Sequence, residues 1–512
     1  MVDKLIVSNR AALTAKYGAP GFASVQSALT AMIAADATRG LTTQVLMIDD
    51  PAQMAAVGGH AVVGAADQRG AKAAVDAAYA ALGPDYLMLL DGPDVVPHIE
   101  LAAIAGLGDG DLNIPSDLPY ASSAPWSLLA STFLAVTRVV GRLPVPPGVT
   151  SATQLVALIG AAASHTPSPA ARFTPPFALS ADVWSASTQL SVANTFGPGM
   201  VVELAPPATH PGIDTDLPRL AHFINCHGAQ ASDEFYGQSG SAYPMAMSSL
   251  GAGPHISAQT VATAECCYGA ELYDYLAVGT AQPICMAYLD AGATAFLGST
   301  NIAYGPATGN AQADLLTQYF LQHILAGATT GRALLQARQD FIRTQPMADP
   351  SNLKTVAQYI LLGDPSSQPC VAPSAHGMTA ATDFLNADVS AAVMDPGLQR
   401  KSRRKALESE GFAIEATASR LGQEIAGSTA LLDQLRQLAT QRGVAAPTVT
   451  VLEVTGGDLF LRAVKDLGGE QRVATVVETS PAAPGWRGPS IKLLVAHIVG
   501  ERIVSVEHSE SR

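Results

Sequence analysis

Short runs of residues that are apolar throughout, rather than at alternate positions, recur along the first two-thirds of this chain. Lys4 to Ser8 (KLIVS), Thr43 to Ile48 (TQVLMI) and Tyr86 to Leu90 (YLMLL) are the first three, with helical patterns between them over about Ser24 to Arg39 and Ala71 to Leu82. A strand that is apolar on both sides has to be covered on both faces, which is the situation in a parallel sheet flanked by helices. The order β-α-β-α-β therefore predicts an α/β fold. The pattern resumes after a loop rich in Pro and Ser, at Leu134 to Val140, Ala221 to Asn225, Gln259 to Ala264 and Ala293 to Leu297. The last three runs end in CHGA, ECCYGA and GSTNIAYG. Ligands of open parallel sheets bind beyond the carboxyl ends of the strands, so these three turns are expected to gather.

The chain has 512 residues, enough for two to four domains at ~150 residues each. Its net charge, 29 − 43 = −14, would repel phosphates, so no nucleic-acid partner is expected. No membrane span is expected either: the uncharged run Leu118 to Thr137 is broken by Pro119 and Pro125. The N-terminus lacks the apolar core of a signal peptide. Five Cys are too few for a disulfide framework, and a cytoplasmic setting is expected. After about Pro396 the composition changes. A basic cluster, Arg400 to Lys405, opens a long helix predicted to run to Arg442, with Leu421, Ile425, Leu432 and Leu435 on its apolar face and Gly443 as its stop. Strand-like runs follow at Thr448–Val454, Val473–Val477, Ile491–Ile498 and Arg502–Val506. The expected organisation is an N-terminal α/β subdomain (1–145), a catalytic domain (146–395), a helical segment (396–445) and a small, separate β-containing module (446–512).

His227 follows one apolar run and precedes Gly228; Cys266 and Cys267 follow another, with Gly269 close behind. The separation 266 − 227 = 39 leaves room for a loop, a helix and a return strand, which puts the two groups on neighbouring strand ends. A cysteine nucleophile needs a base, and histidine is the usual one. The glycines let the backbone turn sharply, so that a substrate carbonyl can reach backbone N–H donors. Other readings compete. Cysteines in apolar runs are most often core residues, and Cys226, Cys285 and Cys370 are read so. Adjacent strand residues point to opposite faces, so one of Cys266 and Cys267 should face the core and the other the cleft. Cys226, His227, Cys266 and Cys267 have zinc-binding atoms, but structural zinc ligands usually sit about two to four residues apart, and two directly adjacent pairs fit poorly. No metal or cofactor is expected. His222 and His255 read as structural or surface residues, and Asp233 and Glu234 as a solvated loop. GLGDGD (Gly106 to Asp111) does not join a strand to a helix as a dinucleotide fingerprint does, and GQSGS (Gly237 to Ser241) lacks the setting of a serine nucleophile elbow.

The ordered set of strand, His-Gly, strand and Cys resembles the clan of cysteine peptidases that contains caspases, legumain, clostripain and gingipains. ECCYG is similar to the caspase pentapeptide whose third residue is the nucleophile, a register that favours Cys267; the gingipain register, with Gly three residues after the nucleophile, points to Cys266, and both stay open. LLDGPDVVP, IPSDLPYA, VVGRLPV, GATAFLGST and ILLGDPSSQP follow the order of the gingipain branch over about residues 1 to 372. The resemblance implies a caspase-like parallel-sheet sandwich and a cysteine endopeptidase acting on protein or peptide substrates. Its reaction would be thiolate attack, general acid/base catalysis by His227, a thioester acyl-enzyme, and an oxyanion held by backbone N–H groups near Gly228 and Cys267. It also puts Asp117 at the site wall. It implies Arg or Lys before the cut, which the acidic charge favours, and self-processing near Arg400–Lys405. Gingipains carry a signal and a pro-segment, and neither is visible here. The alternative is a catalytically inactive caspase-like interaction or signalling scaffold; the presence of both His and Cys argues against it. Oligomeric state and the role of the C-terminal module are not legible.

Overall fold

The computed structural model describes residues 2–371, 396–445, 447–456, 470–480 and 488–512. Ten strands form its central sheet: β1 (Lys4–Ser8), β2 (Thr43–Met47), β3 (Tyr86–Leu90), β4 (Val140–Leu143), β5 (Phe177–Ala181), β6 (Glu203–Ala205), β7 (Ala221–Asn225), β8 (Val261–Ala264), β9 (Ala295–Ser299) and β10 (Tyr359–Leu362). Their lateral order is β2-β1-β3-β4-β10-β9-β8-β7-β5-β6. The α/β architecture is the expected one, and the sheet is mostly parallel. It consists of two parallel blocks of opposite direction, joined where β10 lies parallel to β4 and antiparallel to β9. β10 returns from β9 through the helices Gln312–Leu325, Thr330–Thr344 and Pro350–Gln358, a path that frees it from the crossover geometry of a parallel unit.

The all-apolar runs are buried along their whole length in β1, β3 and β10, as covered strands require. Lys4 is buried within β1, with its Nζ 2.5 Å from Asp364 and 3.2 Å from Asp36. The pair ties the first strand to the turn after the last. Burial alone would raise the Asp364 pKa, but the charge of Lys4 and the bonds from Ser366 bring it below the usual range.

Three elements differ from expectation. The first helix spans Arg10–Thr38 rather than starting near Ser24, because Asn9 caps it and it continues through a kink at Gly18 (φ 68°). The run expected from Leu134 becomes a strand only at Val140. The long helix after Pro396 is broken: Pro396–Thr417 and Thr429–Gln441 are helices, with a strand, Arg420–Glu424 (β11), between them. Gly422 approaches Glu453 closely across this strand pair, and Ser428 caps the second helix by accepting from Leu431 N–H. The basic cluster lies in the first of these helices, as expected. Arg400 pairs with Asp3 at 3.1 Å, and Arg404 with Glu408 at 3.5 Å.

The C-terminal strands are β12 (Thr448–Thr455), β13 (Gln471–Ser480), β14 (Ser490–Val499) and β15 (Arg502–Ser511). With β11 they form an antiparallel sheet in the order β15-β14-β13-β12-β11. Alternate residues serve two cores, as the strand period demands. Val476, Leu494, Ala496 and Ile498 pack with Leu431, Leu435 and Ala439 of the Thr429–Gln441 helix. Val473, Val477, Ile491, Leu493 and Val495 join the main core. The module is thus not separate, and its edge strand β15 continues onto the two-residue strand Tyr304–Gly305. The expected joins at 395/396 and 445/446 each touch a residue outside the described set. Among the described residues no helix is long and apolar enough to cross a membrane.

Candidate active site

β7, β8 and β9 are neighbours, and the three Gly-containing turns leave them at the same edge. The β7–β8 pairing ends at Ile224↔Ala264, so His227 and Cys267 each follow the last paired residue of neighbouring strands by the same short distance along the chain. Gly228 makes this closeness tolerable, since a Cβ there would overlap the carbonyl oxygen of Cys267. Behind Cys267 the chain turns at once: Tyr268 adopts φ 55°, a left-handed conformation unusual for a bulky side chain. That turn is pinned by the Tyr268 N–H donating to Asn301 O at 2.9 Å and the Gly269 N–H donating to Cys266 O at 3.1 Å.

The two cysteines face different surroundings. Cys266 is wholly buried beside Cys226 and Tyr288. Cys267 lies on the cleft side, where the Ala303 N–H donates to its Sγ at 3.3 Å. Burial pushes the Cys267 thiol up to about 12, only partly opposed by the hydrogen bond its sulfur accepts from the Ala303 N–H. Burial likewise takes His227 down to about 3, against a hydrogen bond to Gln238. The His227 Nε2 lies 2.6 Å from Gln238 Oε1, and the Gln238 amide donates to Gly240 O at 2.9 Å. That fixes the oxygen toward the ring, so Nε2 carries the proton and Nδ1 the lone pair. The imidazole also packs on Trp184, ring centroids 4.3 Å apart. GQSGS, with no catalytic reading of its own, thus supplies the partner of the histidine.

The cleft is occupied by the chain's own Arg512, which is 0% exposed. Its carbonyl oxygen accepts from the Cys267 N–H at 3.1 Å and the Gly228 N–H at 3.4 Å, and its N–H donates to Ala303 O at 3.0 Å. Its guanidinium donates to Asp314 at 2.9 Å and to Pro306 O at 2.8 Å, and lies 4.3 Å over the Trp184 ring. Asn225 donates to the other oxygen of Asp314 at 3.3 Å. Glu265 abuts Asp314, and burial together with that neighbouring carboxylate holds the Glu265 carboxyl well above the usual carboxylate range. Gly305 borders the same pocket, where a Cβ would overlap the guanidinium. Two backbone donors thus meet one carbonyl oxygen at Cys267, and an acidic recess holds the guanidinium of the same residue.

Sequence reasoning did not single out Glu265, Trp184, Gly305 or Asp314. It also passed over the GLGDGD loop. There Asp109 and Asp111 hold Lys354, with Asp111 2.6 Å away. Asp111 further accepts from the Ile302 N–H (3.1 Å) and the Tyr268 hydroxyl (2.8 Å), while Asp109 accepts from the Tyr304 hydroxyl at 2.9 Å. The loop therefore braces both segments that border Cys267. Tyr268, Ile302 and Asp111 also line a cavity of about 510 Å³. Asp117 has other duties: its carboxylate is bound by Arg142 at 2.6 Å and His98 at 2.9 Å. The zinc-type set Cys226, His227, Cys266 and Cys267 does not converge. Among the described residues the one group of three metal-ligating side chains is Asp349, His497 and Glu507.

Residues 244–369 match the model of peptidase family C25, a segment that includes both cysteines, Gly305 and Asp314 but not His227. No curated protein sequence matches. A solved structure described as a protease is similar at 12% identity and a TM-score of 0.45, covering 99% of this chain and 96% of that one. The Saccharomyces cerevisiae separase–securin complex is similar at 12% identity and a TM-score of 0.29, covering 46% of this chain and 14% of that one. The chain is thus an α/β protein in which residues 244–369 match the model of peptidase family C25.

Proposed function

We propose that this chain is a cysteine endopeptidase that cleaves after arginine, with Cys267 as nucleophile and His227 as general acid/base. The observation that carries the reading is the seating of Arg512, whose carbonyl rests on the Gly228 and Cys267 N–H groups while its guanidinium meets Asp314. In the proposed reaction Nδ1 of His227 takes the thiol proton, and the Cys267 sulfur attacks the carbonyl carbon. The oxyanion is held by the two backbone donors, and its collapse expels the amine, which takes the proton back from His227. Water, deprotonated by the same imidazole, then hydrolyses the thioester and restores the thiol. Cys266 is a core residue in this scheme. The five free thiols fit a reducing, cytoplasmic setting. Self-processing within Arg400–Lys405 would require the helix there to unwind, because a cleft that pairs with its substrate as a strand does not accept a helix.

The test is hydrolysis of fluorogenic peptides varied at the residue before the bond, in reducing buffer, by wild type, Cys266→Ala and Cys267→Ala. Because Arg512 fills the cleft, each is also made with Arg512→Glu. The reading requires cleavage after Arg that Cys267→Ala abolishes and Cys266→Ala retains. Silence of every chain would point to the inactive scaffold.

A further inference from the structure

We infer that residues 502–512 are an intramolecular ligand of the substrate cleft, and that the enzyme stays closed to peptides until this strand is displaced. The inference rests on the proposed peptidase reading and adds what controls access to it. β15 lies between β14 and Tyr304–Gly305, antiparallel to both, with Tyr304 opposite Ser511 and Gly305 opposite Glu510. A peptide recognised by strand addition would take this position: backbone pairing gives affinity, and a side-chain pocket gives specificity. The pocket is filled to its end by Arg512, and the residues behind it are held too. The Trp184 indole N–H donates to Glu510 at 3.4 Å, and the Ser509 hydroxyl donates to Gln312 at 3.1 Å. Cys267 is left 3% exposed, so no substrate carbonyl can reach it.

The strand is also anchored from behind. β14 pairs with β15 along most of its length, and the inner face of the module is part of the main core. A ligand tethered this way acts at an effective concentration on the order of mM, so a free peptide binding more weakly than that cannot compete. Opening requires the strand to peel from Tyr304–Gly305, which a partner could drive by binding the freed edge of the module.

The test uses the full chain and reads alkylation of Cys267 by iodoacetamide, mapped by mass spectrometry, beside hydrolysis of an arginyl peptide amide. Arg512→Glu places a negative charge against Asp314. It should raise Cys267 alkylation about tenfold or more over wild type, in proportion to the open fraction, while Arg512→Lys stays near wild type. Gly305→Ala approaches the contact from the other side: its methyl evicts the guanidinium, so alkylation rises although arginyl peptides are not cut. Equal alkylation in wild type, Arg512→Glu and Gly305→Ala would overturn the inference, whatever the peptide data say. Faster alkylation without any cleavage would sustain the tethered ligand and count against the peptidase reading instead.

Discussion

A Cβ on residue 228 would overlap the carbonyl oxygen of Cys267, so Gly228 does two things at once: it lets the strand ends meet and turns its own N–H toward the carbonyl site. Gly228→Ala, in the Arg512→Glu chain, is expected to lower kcat/KM for arginyl peptides by about 100-fold, the usual loss when one oxyanion donor is displaced; steady-state kinetics check this. The protonation states give a second expectation. With the thiol pushed up to about 12 and the imidazole down to about 3 by burial, both groups are neutral near pH 7 in the occupied cleft. A raised thiol pKa means that the thiolate fraction climbs about tenfold per pH unit below it. Wild-type Cys267 alkylation should therefore rise from pH 7 to pH 10 without a plateau. In Arg512→Glu, where water re-enters, a plateau should appear nearer the ordinary thiol value of about 8.5. A shared plateau would show that occupancy does not govern the thiol.

The elements that matter most are loops held by buried charge. Lys354, 1% exposed, neutralises Asp109 and Asp111, and Asp111 in turn fixes Ile302 and Tyr268. Lys354→Met would leave two buried carboxylates uncompensated, a change that costs about 3–5 kcal/mol when a buried pair is broken. The denaturation midpoint should fall accordingly, and in the Arg512→Glu chain arginyl-peptide cleavage should weaken with it; an unchanged midpoint would mean that the loop is braced by something else. Such elements were hard to read. GLGDGD has no periodicity, and the partner of its carboxylates lies more than two hundred residues away. The apolar runs, by contrast, announced themselves, because a covered strand must be apolar on both faces, as KLIVS and YLMLL are. The break in the helix after Thr417 is not legible in the sequence, because Leu421 and Ile425 satisfy a helical stripe as readily as they satisfy a paired strand.

For the whole molecule, the reading of His227 and the Cys pair rests on adjacency along the chain: each follows a strand, and the two strands, β7 and β8, are paired neighbours. The arginine pocket could not be read this way. Trp184, Glu265, Gly305, Asp314 and Arg512 come from five separate segments, and only the fold assembles them. The C-terminal strands were visible, but their docking was not, since strand pattern says nothing about which edge a strand will pair with. Together these observations support Cys267 as the nucleophile of an arginine-directed cleft shut by β15 of the same chain. The most direct test is labelling with a peptidyl-arginine chloromethyl ketone, followed by peptide mapping of wild type and Arg512→Glu. The account predicts a single adduct, on Cys267, formed at least about tenfold faster in Arg512→Glu and lost in Cys267→Ala. An adduct on Cys266, or equal rates in the two chains, would contradict it.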